Sequence, residues 1–425
     1  MNTINRVAVI GLGYIGLPTA AILATNGMEV IGVDVSPSTV DAVNAGQVPF
    51  VEPDLAVHVS GAVSQGRLKA TTLTPPAEAY IVAVPTPFRD DHSADLSYIE
   101  AAARGIAPQL QGGELLILES TSPPGATEHM TNYILGLRPD LSIDGSDSRP
   151  AILVAHCPER VLPGRVMIEL VTNDRIVGGM TPEAAEAAKK LYAVFCQGEI
   201  LTTDAVTAEM AKLVENSYRD VNIAFANELS VISDKLGIDV WELIRLANHH
   251  PRVNILQPGP GVGGHCIAVD PWFIVAAAPK ESQLIRTARE VNDGKPEWVV
   301  EKAIQALDAF GPASEIAALG LAFKANIDDL RESPAVLITS VLAEQLPGRR
   351  INVVEPHVEA LPRALATREN VELVAVETAI ERSDVVILLV DHEQFRGLDL
   401  EILKGKSVVD TRGAWDHTKL ESQRI

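Results

Sequence analysis

The sequence is poor in aromatic residues and in cysteine, and each shortage excludes a class of protein. Tyr, Trp and Phe make up 4% of the 425 residues, whereas 47% are hydrophobic, a balance typical of α/β enzymes with buried aliphatic strands. The three cysteines, Cys157, Cys196 and Cys266, are too few and too irregularly spaced for a disulfide framework or a zinc site. We therefore expect no metal, and two or three globular domains.

Positive charge and long apolar runs are also scarce. Lys and Arg number 35 against 56 Asp and Glu, which gives a net charge of −21. This balance argues against a nucleic-acid partner, although a few basic groups could still hold an anionic substrate. No apolar run reaches the roughly 18 residues that span a bilayer, and the first residues lack the features of a signal peptide. We expect no membrane partner and a cytoplasmic location.

The order of predicted elements indicates the fold. Short aliphatic strands at 6–10, 29–36, 79–87, 114–121 and 151–160 alternate with helices, which predicts a doubly wound parallel sheet. A long helical stretch follows from about residue 205, and α/β alternation resumes near 315. We predict an α/β protein with two Rossmann-like parallel-sheet domains, 1–200 and 306–425, joined by a helical domain, 201–305.

A glycine motif after the first predicted strand indicates a dinucleotide site. Gly11, Gly13 and Gly16 form G-x-G-x-x-G between a strand and a helix, and Asp34 follows the second strand. The glycines permit a tight turn and close approach of the pyrophosphate to the helix N-terminus. An acidic residue at the second strand binds both ribose hydroxyls and repels a 2′-phosphate. The pattern favours NAD over NADP.

Candidate catalytic groups lie further along the chain. Cys266 ends the glycine-rich segment of "GPGVGGHCIAVDPWF", where backbone N–H groups would favour a thiolate and glycine would admit a substrate; a buried, inert cysteine is an equal alternative. Lys212, Asn216 and Arg219 share one face of the long helix and could stabilise an oxyanion, or form a solvated face. Glu159 follows a predicted strand and could be functional or a surface acid.

Seven ordered segments resemble one enzyme family along essentially the whole chain. They are "GLGYIGLPTA", "VPTPF", "ESTSPPG", "CPERVLPG", "AEMAKLVENSYRDVNIAFANE", "GPGVGGHCIAVDPWF" and "GLAFKANIDDLRESP". The sequence is similar to the UDP-sugar and GDP-sugar 6-dehydrogenases, which oxidise a sugar C6 alcohol to a carboxylate with two NAD. The resemblance implies a Cys266 thiohemiacetal and thioester, and a homodimer through the helical domain in which Arg252 reaches the partner's site.

The resemblance also implies roles for individual residues. Lys212 and Asn216 would stabilise oxyanions, Asp270 would support water and Lys212, Glu159 would be the base for thioester hydrolysis, and Thr121 would contact the ordered water. The cofactor would meet Gly11, Gly13, Tyr14, Ile15, Gly16, Asp34, Thr86, Thr121 and Arg331. The substrate would meet Arg160, Val161, Lys212, Asn216, Arg219, His250, Arg252, Gly263, Phe323, Lys324 and Arg412, in part on a C-terminal UDP-sugar-binding domain.

The sugar is the least determined feature. His265 stands where UDP-glucose enzymes of the family typically have Ser, and Ile267-Ala268-Val269 replaces Phe-Pro-Lys. This departure resembles the branch acting on UDP-N-acetyl-D-mannosamine, whose product supplies surface polysaccharides. UDP-N-acetyl-D-glucosamine and other UDP-sugars remain alternatives. A two-electron 3-hydroxyacid dehydrogenase would lack the thiol, and a non-catalytic nucleotide sensor would be expected to lack the set of Lys212, Asn216, Cys266 and Asp270.

Overall fold

The computed structural model describes residues 4–89, 93–162, 164–264 and 267–415. His265 and Cys266 therefore lie outside the described residues. The chain divides into two compact units, Met1–Glu215 with Ala276–Ala278, and Asn216–Val275 with Pro279–Ile425. Each unit is considered by itself below.

The first unit contains an eight-stranded sheet with the strand order β3-β2-β1-β4-β5-β6-β7-β8. Its central strands β1, β4 and β5 are aliphatic and, apart from the exposed Arg6, almost entirely inaccessible to solvent, as a parallel sheet covered on both faces requires. The order of the first six strands reverses between β1 and β4, which places a ligand crevice at the carboxyl ends of these two strands. The strands are β1 Arg6–Ile10, β2 Glu29–Val33, β3 Leu68–Thr71, β4 Ala79–Val82, β5 Leu115–Leu118, β6 Leu153–His156, β7 Arg175–Gly179 and β8 Ile200–Asp204.

Helices cover both faces of this sheet. Those that begin with a Ser-Pro or Thr-Pro pair have a side-chain cap: Ser36 accepts the N–H of Thr39, and Thr181 accepts the N–H of Ala184. The helices are α1 Gly16–Thr25, α2 Pro37–Asn44, α3 Leu55–Ser64, α4 Ser97–Ile106, α5 Ala126–Leu137, α6 Val166–Thr172 and α7 Pro182–Tyr192, with 3-10 turns at Ala107–Gln109 and Ser146–Ser148.

The second unit contains a five-stranded sheet, entirely parallel, with the order β11-β10-β9-β12-β13. Its strands are β9 Ile316–Leu319, β10 Ile351–Val354, β11 Val371–Leu373, β12 Val385–Leu388 and β13 Ser407–Asp410. The helices from α8 onwards are α8 Ala205–Leu236, α9 Val240–Ala247, α10 Asp270–Ala277, α11 Gln283–Leu307, α12 Pro334–Gln345, α13 Arg363–Ala366, α14 Val376–Arg382 and α15 Glu393–Arg396, with a 3-10 turn at Leu400–Leu403.

Two long helices lie between β8 and β9 in the sequence. Helix α8 has 32 residues and begins in the first unit, and α11 has 25 residues and continues through Pro296. Although α8 is long, none of the helices in the described part of the chain is apolar enough over a sufficient length to cross a membrane.

The predicted fold class is confirmed, with one correction to the sheet. Residues 175–179 form a strand that the sequence analysis did not predict, and this strand pairs with β6 in the antiparallel direction. The apolar run Ile176–Val177 between Arg175 and Gly178 is too short to be recognised as a strand by periodicity. The division into three domains at 200 and 305 stays a prediction.

Candidate active site

The glycine motif forms a tight turn between β1 and α1 that leaves room for a phosphate. Gly11 has φ +93°, and a Cβ there would lie 2.4 Å from the carbonyl oxygen of Ala83. A Cβ on Gly16 would lie 1.9 Å from the carbonyl oxygen of Gly11. In contrast, no heavy atom of the described residues lies within 4 Å of the position a Gly13 Cβ would take. Two glycines therefore close the turn, and the third keeps its outer side open to a ligand.

Asp34 follows β2 and is tied to the same turn. Its Oδ2 accepts the N–H of Leu12 at 2.9 Å, and its Oδ1 accepts the N–H of Ser36 at 2.9 Å. Each carboxylate oxygen keeps a lone pair for a further donor. A fixed carboxylate next to an open glycine turn fits the ribose and pyrophosphate of a dinucleotide. The residues present therefore fit the NAD that the sequence predicts.

Four further predicted cofactor residues lie in the same unit. Ile15 occupies the N-cap position of α1. The hydroxyl of Tyr14 pairs with Glu52, and the Tyr14 ring lies 5.2 Å from that of Phe50. Thr86 follows β4 and donates a hydrogen bond to the backbone carbonyl of Thr121, which follows β5. The structure thus brings Thr86 and Thr121 together at the carboxyl edge of the sheet.

Glu159, Arg160 and Val161 follow β6. The carboxylate of Glu159 is buried, with Oε2 lying 3.5 Å from Nη2 of Arg175. Arg160 points elsewhere: its Nη2 pairs with Glu215 at 2.6 Å, and its Nη1 donates to the carbonyl of Asp174 at 3.0 Å. Val161 is half-buried. The alternative that Glu159 is a surface acid is wrong.

Lys212 also belongs to the first unit, on the part of α8 that lies there. It is half-buried and forms no hydrogen bond or ion pair with the other described residues. Within this unit, therefore, no described carboxylate pairs with its ammonium group.

Asn216 and Asp270 are brought together in the second unit, 54 residues apart in sequence. The amide Nδ2 of Asn216 donates to Oδ2 of Asp270 at 2.5 Å. Asp270 is the first residue of α10 and is only 3% exposed. This contact fixes the orientation of the Asn216 amide, whose second N–H remains available as a donor.

The glycine segment before Cys266 is shaped by packing. A Cβ on Gly263 would lie 2.6 Å from the carbonyl oxygen of Glu332 and 3.0 Å from the Cβ of Phe323. Gly264 has φ +86°, and a Cβ there would lie 3.2 Å from the Phe323 ring. At these two positions glycine is required by the protein's own backbone and Phe323. This corrects the expectation that these glycines serve to admit a substrate.

A buried polar network holds this segment on the second unit. Oδ1 of Asn227 accepts the N–H of Gly259 at 2.8 Å, and its Nδ2 donates to Asn292 at 2.8 Å. Asn292 donates to Asp220, which also pairs with the fully buried Arg289. Burial raises the pKa of Asp220 to about 6, although Arg289 opposes the shift. Sequence reasoning missed this network; its only signal was four polar residues on the apolar faces of two long helices.

The remaining predicted residues of this unit, the cofactor contact Arg331 and several substrate contacts, lie on its surface or in local pairs. Arg331 pairs with Asp329 at 2.6 Å, and Arg412 pairs with Asp391 at 3.0 Å. The backbone N–H of Arg252 donates to Nδ1 of His250 at 3.3 Å. Both of these side chains are exposed, as are those of Arg219 and Lys324.

Glu355 occupies in the second sheet the position that Asp34 occupies in the first. It follows β10, and its Oε2 accepts the N–H groups of Leu321 and Ala322 after β9 at 2.7 and 2.9 Å. His392 receives the N–H of Asn326 on Nδ1, so its Nε2 carries the proton that binds Glu355 at 3.1 Å. With His357 these groups approach within 4.8 Å. The hydrogen bonds explain the cluster without a metal ion.

The two described cysteines, Cys157 and Cys196, both lie in the first unit. Cys157 is completely buried, and burial raises the pKa of its thiol to about 12. Cys196 is half-buried and bonds to the backbone carbonyls of Asn173 and Gly198. The surroundings of Cys157 therefore disfavour a thiolate. The third cysteine, Cys266, lies outside the described residues.

Three parts of the chain match domains of one family in order. Residues 5–196 match the NAD binding domain of the UDP-glucose/GDP-mannose dehydrogenase family, residues 206–294 match its central domain, and residues 317–417 match its UDP binding domain.

Similar proteins and structures cover nearly the whole chain. An NDP-N-acetyl-D-galactosaminuronic acid dehydrogenase from Ralstonia nicotianae is 59% identical over 98% of this chain and 97% of its own. A UDP-N-acetyl-D-mannosamine dehydrogenase from Salmonella typhi is 54% identical over 97% of this chain and 99% of its own. The solved structure of a UDP-D-ManNAc dehydrogenase from Pyrococcus horikoshii is 37% identical, with a TM-score of 0.86 over 98% of both chains.

Proposed function

The chain belongs to the UDP-glucose/GDP-mannose dehydrogenase family, and on that premise we propose that it oxidises the C6 alcohol of a UDP-N-acetylhexosamine to a carboxylate. The observation that carries the N-acetylated substrate is that relatives 54% and 59% identical over nearly the full chain are both named for N-acetylated sugars. UDP-N-acetyl-D-mannosamine is the first candidate. The higher identity of the relative named for N-acetyl-D-galactosaminuronic acid makes UDP-N-acetyl-D-galactosamine the second.

The cofactor of this family is NAD, which when bound would supply the hydride acceptor for both oxidations. In the proposal Gly13 and the N-terminus of α1 hold the pyrophosphate, and Asp34 holds the ribose hydroxyls. Tyr14, Ile15 and Thr86 complete the cofactor site. Arg331 is proposed as a further contact.

The thiol of Cys266 is proposed as the nucleophile that retains the intermediate. Its thiolate adds to the C6 aldehyde to give a thiohemiacetal, and the second oxidation converts this adduct to a thioester. Water then adds to the thioester carbon, the C–S bond breaks, and the thiolate is restored with the product carboxylate. Covalent capture divides a four-electron oxidation into smaller steps and prevents release of a reactive aldehyde.

The remaining catalytic roles follow from charge and hydrogen-bonding capacity. The uncommitted ammonium of Lys212 and the free amide N–H of Asn216 stabilise the oxyanions of the two tetrahedral adducts. Asp270 orients that amide and supports the water and Lys212. Glu159 takes a proton from the attacking water, and Thr121 contacts that water.

We further propose that the UDP-sugar is held by the basic and small residues predicted for it. The exposed side chains of Lys324 and Arg219 are available to phosphate oxygens. The other residues proposed to contact substrate are Arg160, Val161, Lys212, Asn216, His250, Arg252, Gly263, Phe323 and Arg412.

The chain is also proposed to form a homodimer through its central helices. Tyr218, Phe225, Ile232 and Leu236 are all exposed and recur on one face of α8. A row of large apolar side chains on one helix is typical of a protein interface. A second copy would bury this row and supply Arg252 to its partner's site. Sedimentation velocity should show a dimer, and Phe225→Glu should shift it to monomer; a monomeric wild-type protein would contradict this.

A panel of nucleotide sugars tests the function. The purified protein is mixed with NAD and, in turn, UDP-N-acetyl-D-mannosamine, its galacto and gluco isomers, UDP-glucose and GDP-mannose, and NADH release is measured with product mass. We expect two NADH per sugar and a uronate from an N-acetylated substrate. One NADH per molecule would indicate a two-electron dehydrogenase, and no turnover would favour a sensor. A cytoplasmic role in supplying surface polysaccharides is part of the proposal.

A further inference from the structure

The carboxylate of Glu159 is held from two sides. Its Oε1 accepts the backbone N–H of Arg160 at 2.5 Å. Its Oε2 faces Nη2 of Arg175 at 3.5 Å and receives no hydrogen bond from the described residues, although it is shielded from solvent. The positive charge of Arg175 therefore holds Oε2 in one orientation, but no short hydrogen bond occupies the lone pairs of that oxygen. Such an oxygen remains free to accept a proton.

Arg175 cannot follow Glu159 if the carboxylate moves. Its side chain is 5% exposed, and its guanidinium lies over the rings of Tyr192 and Phe195, at 4.6 and 5.2 Å from their centroids. Nη1 also approaches the sulfur of Cys157 at 3.7 Å. A planar cation stacked on aromatic rings is held more rigidly than one in solvent.

A second carboxylate shares this arginine. Glu119 is completely buried, with Oε1 lying 3.9 Å from Nη1 of Arg175. Oε1 accepts the hydroxyl of Tyr192 at 3.1 Å, and Oε2 accepts the hydroxyl of Thr19 at 3.0 Å. Burial, together with the charge of Glu159, raises the pKa of Glu119 to about 7, although Arg175 opposes the shift.

The sheet topology creates this arrangement. Glu119 follows β5 and Glu159 follows β6, so both carboxylates lie at the carboxyl edge of two neighbouring parallel strands. Arg175 opens β7, which runs antiparallel to β6 with His156 opposite Gly178. The start of β7 therefore lies beyond the end of β6, beside Glu159. A parallel β7 would have placed its first residue at the other edge of the sheet.

We propose that Arg175 and Glu119 are positioning residues for the base that hydrolyses the thioester, and that they act by fixing Oε2 of Glu159. This inference rests on the proposed function, which assigns Glu159 that role. In the step concerned, Oε2 takes one proton from water, the water oxygen bonds to the thioester carbon, and the C–S bond breaks to release the thiolate. The carboxylic acid of the product and the protonated Glu159 then each give up one proton to solvent, which restores the base.

The hydrolytic step can be separated from the oxidations because they precede it. If the base is misdirected, the enzyme still completes both oxidations, which form two NADH per active site, and then waits as a thioester. Arg175→Met should therefore lower kcat at least 10-fold while the first burst of NADH changes less than threefold. Intact-protein mass spectrometry should detect the sugar bound covalently to the enzyme. The probe is UDP-N-acetyl-D-mannosamine, or the isomer that the panel selects.

Two comparison variants accompany Arg175→Met. Glu159→Gln should accumulate the same adduct, because it removes the base itself. Arg165→Met, which removes an exposed arginine paired with Glu169 in the same unit, should leave kcat and the burst at wild-type values. Wild-type kcat with no adduct in Arg175→Met would overturn the inference. So would a burst and kcat lost together with a lowered melting temperature, which would indicate a structural role alone.

Glu119→Gln tests the second positioning residue and does not remove the buried cation. The titratable and charged groups that face Glu119 are Arg175 on β7, Tyr192 on α7, and Cys157 and Glu159 after β6. Glu119 itself has a pKa near 7, so Glu119→Gln should abolish a step near pH 7 in the rate of adduct decay. An unchanged pH profile would contradict the role of Glu119.

The double variant Arg175→Met with Glu119→Gln covers the case in which Arg175→Met alone fails to fold. It removes one positive and one negative charge together, so stability should recover while the adduct still accumulates. Recovery of both stability and kcat would overturn the inference. If the wild-type protein forms no uronate from any nucleotide sugar, the proposed function itself fails. If the wild type forms uronate and none of these variants accumulates adduct, only the positioning role fails.

Discussion

Asn216 donates a hydrogen bond from its side-chain amide to the carboxylate of Asp270, across 54 residues of sequence. The donor lies on α8, and the acceptor begins α10 and is almost completely buried. Asp270 therefore determines which way the amide of Asn216 presents its remaining N–H. This contact gives Asp270 a role that does not depend on proton transfer.

Asp270→Asn should reduce kcat at least 100-fold. The loss has the size expected for removing an oriented oxyanion donor, because the variant removes the negative charge that aligns the Asn216 amide. The dissociation constant for NAD, measured by titration calorimetry, should change less than twofold. Asp308→Asn, an exposed aspartate at the end of α11, is the matched control. Activity within threefold of wild type in Asp270→Asn would remove Asp270 from the proposed mechanism.

Cys266→Ser should bind NAD and the UDP-sugar with nearly wild-type affinity but produce no net uronate. A serine hydroxyl is a much weaker nucleophile than a thiolate at neutral pH. Binding is measured by calorimetry and the product by mass spectrometry. Cys196→Ser should retain full turnover, because that thiol bonds only to backbone carbonyls. Full uronate production by Cys266→Ser would exclude the thioester mechanism.

Asp34→Ala should weaken NAD binding by about 10- to 100-fold, as expected for the loss of charged hydrogen bonds worth roughly 1.5–3 kcal/mol. Binding of NADP should weaken less or improve, because the carboxylate no longer repels a 2′-phosphate. Both constants are measured by fluorescence titration. Asp41→Ala, an exposed residue on the neighbouring helix α2, should change neither. An unchanged ratio of the two affinities would contradict the ribose role.

Asp220→Ala should destabilise the second unit by about 3 kcal/mol, since it leaves the buried guanidinium of Arg289 with one ion-pair partner, Asp293. Chemical unfolding monitored by tryptophan fluorescence measures the loss. Asp293→Ala should cost less than about 1 kcal/mol, because its carboxylate is half exposed. Asp220→Leu combined with Arg289→Met should recover most of the stability. Equal losses of stability in Asp220→Ala and Asp293→Ala would contradict the conclusion that Asp220 is the main partner of Arg289.

Lys295→Met should raise the melting temperature at or below pH 7 and have little effect near pH 10. Lys295 is buried between Ser230 and Trp298, and burial lowers its pKa from 10.5 to about 7. Between pH 7 and 10.5 the unfolded chain binds the proton that the folded protein has lost, so the stability of the wild type rises with pH through this window. Below pH 7 the folded protein bears the full cost of burying the charged ammonium of Lys295, and methionine removes that cost.

Calorimetric melting at pH 6 and pH 10 checks this prediction. Lys280→Met, at an exposed position, is the control and should give the same shift at both pH values. Ser230 keeps a partner in the variant, because its hydroxyl also donates to the carbonyl of Asn227. A melting temperature for Lys295→Met that is unchanged or lowered at pH 6 would mean that the hydrogen bond and the aromatic contact outweigh the cost of burying the charge.

The parts of the site that the sequence predicted are those held by local contacts. The turn Gly11–Gly16 and Asp34 belong to one βαβ unit, and their spacing alone indicates their arrangement. The register of Arg6–Ile10 against Glu29–Val33 then places Asp34 beside the turn. Glu355 repeats this geometry in the second sheet, yet the sequence did not indicate it, because the turn after β9 lacks the glycine motif.

The parts that the sequence did not predict depend on pairings distant in the chain. Arg175 interacts with Glu119 across 56 residues, and only the antiparallel direction of β7 brings them together. Asn227 and Asn292 meet through the packing of α8 against α11. Charged and amide side chains on apolar elements signalled that partners must exist, because burial of an unpaired polar group is costly. They did not signal which partners.

The sequence by itself determined the α/β class, the dinucleotide turn, the family and the candidate residues. These follow from periodicity, glycine spacing and ordered motifs, which are encoded by neighbouring residues. Tertiary structure alone decided that Asp270 orients Asn216, that Phe323 and the backbone near Glu332 require Gly263, and that Arg175 lies between two carboxylates. The reason is physical: a side chain's pKa and orientation depend on the charges and packing around it, and those neighbours come from segments that only the fold brings together.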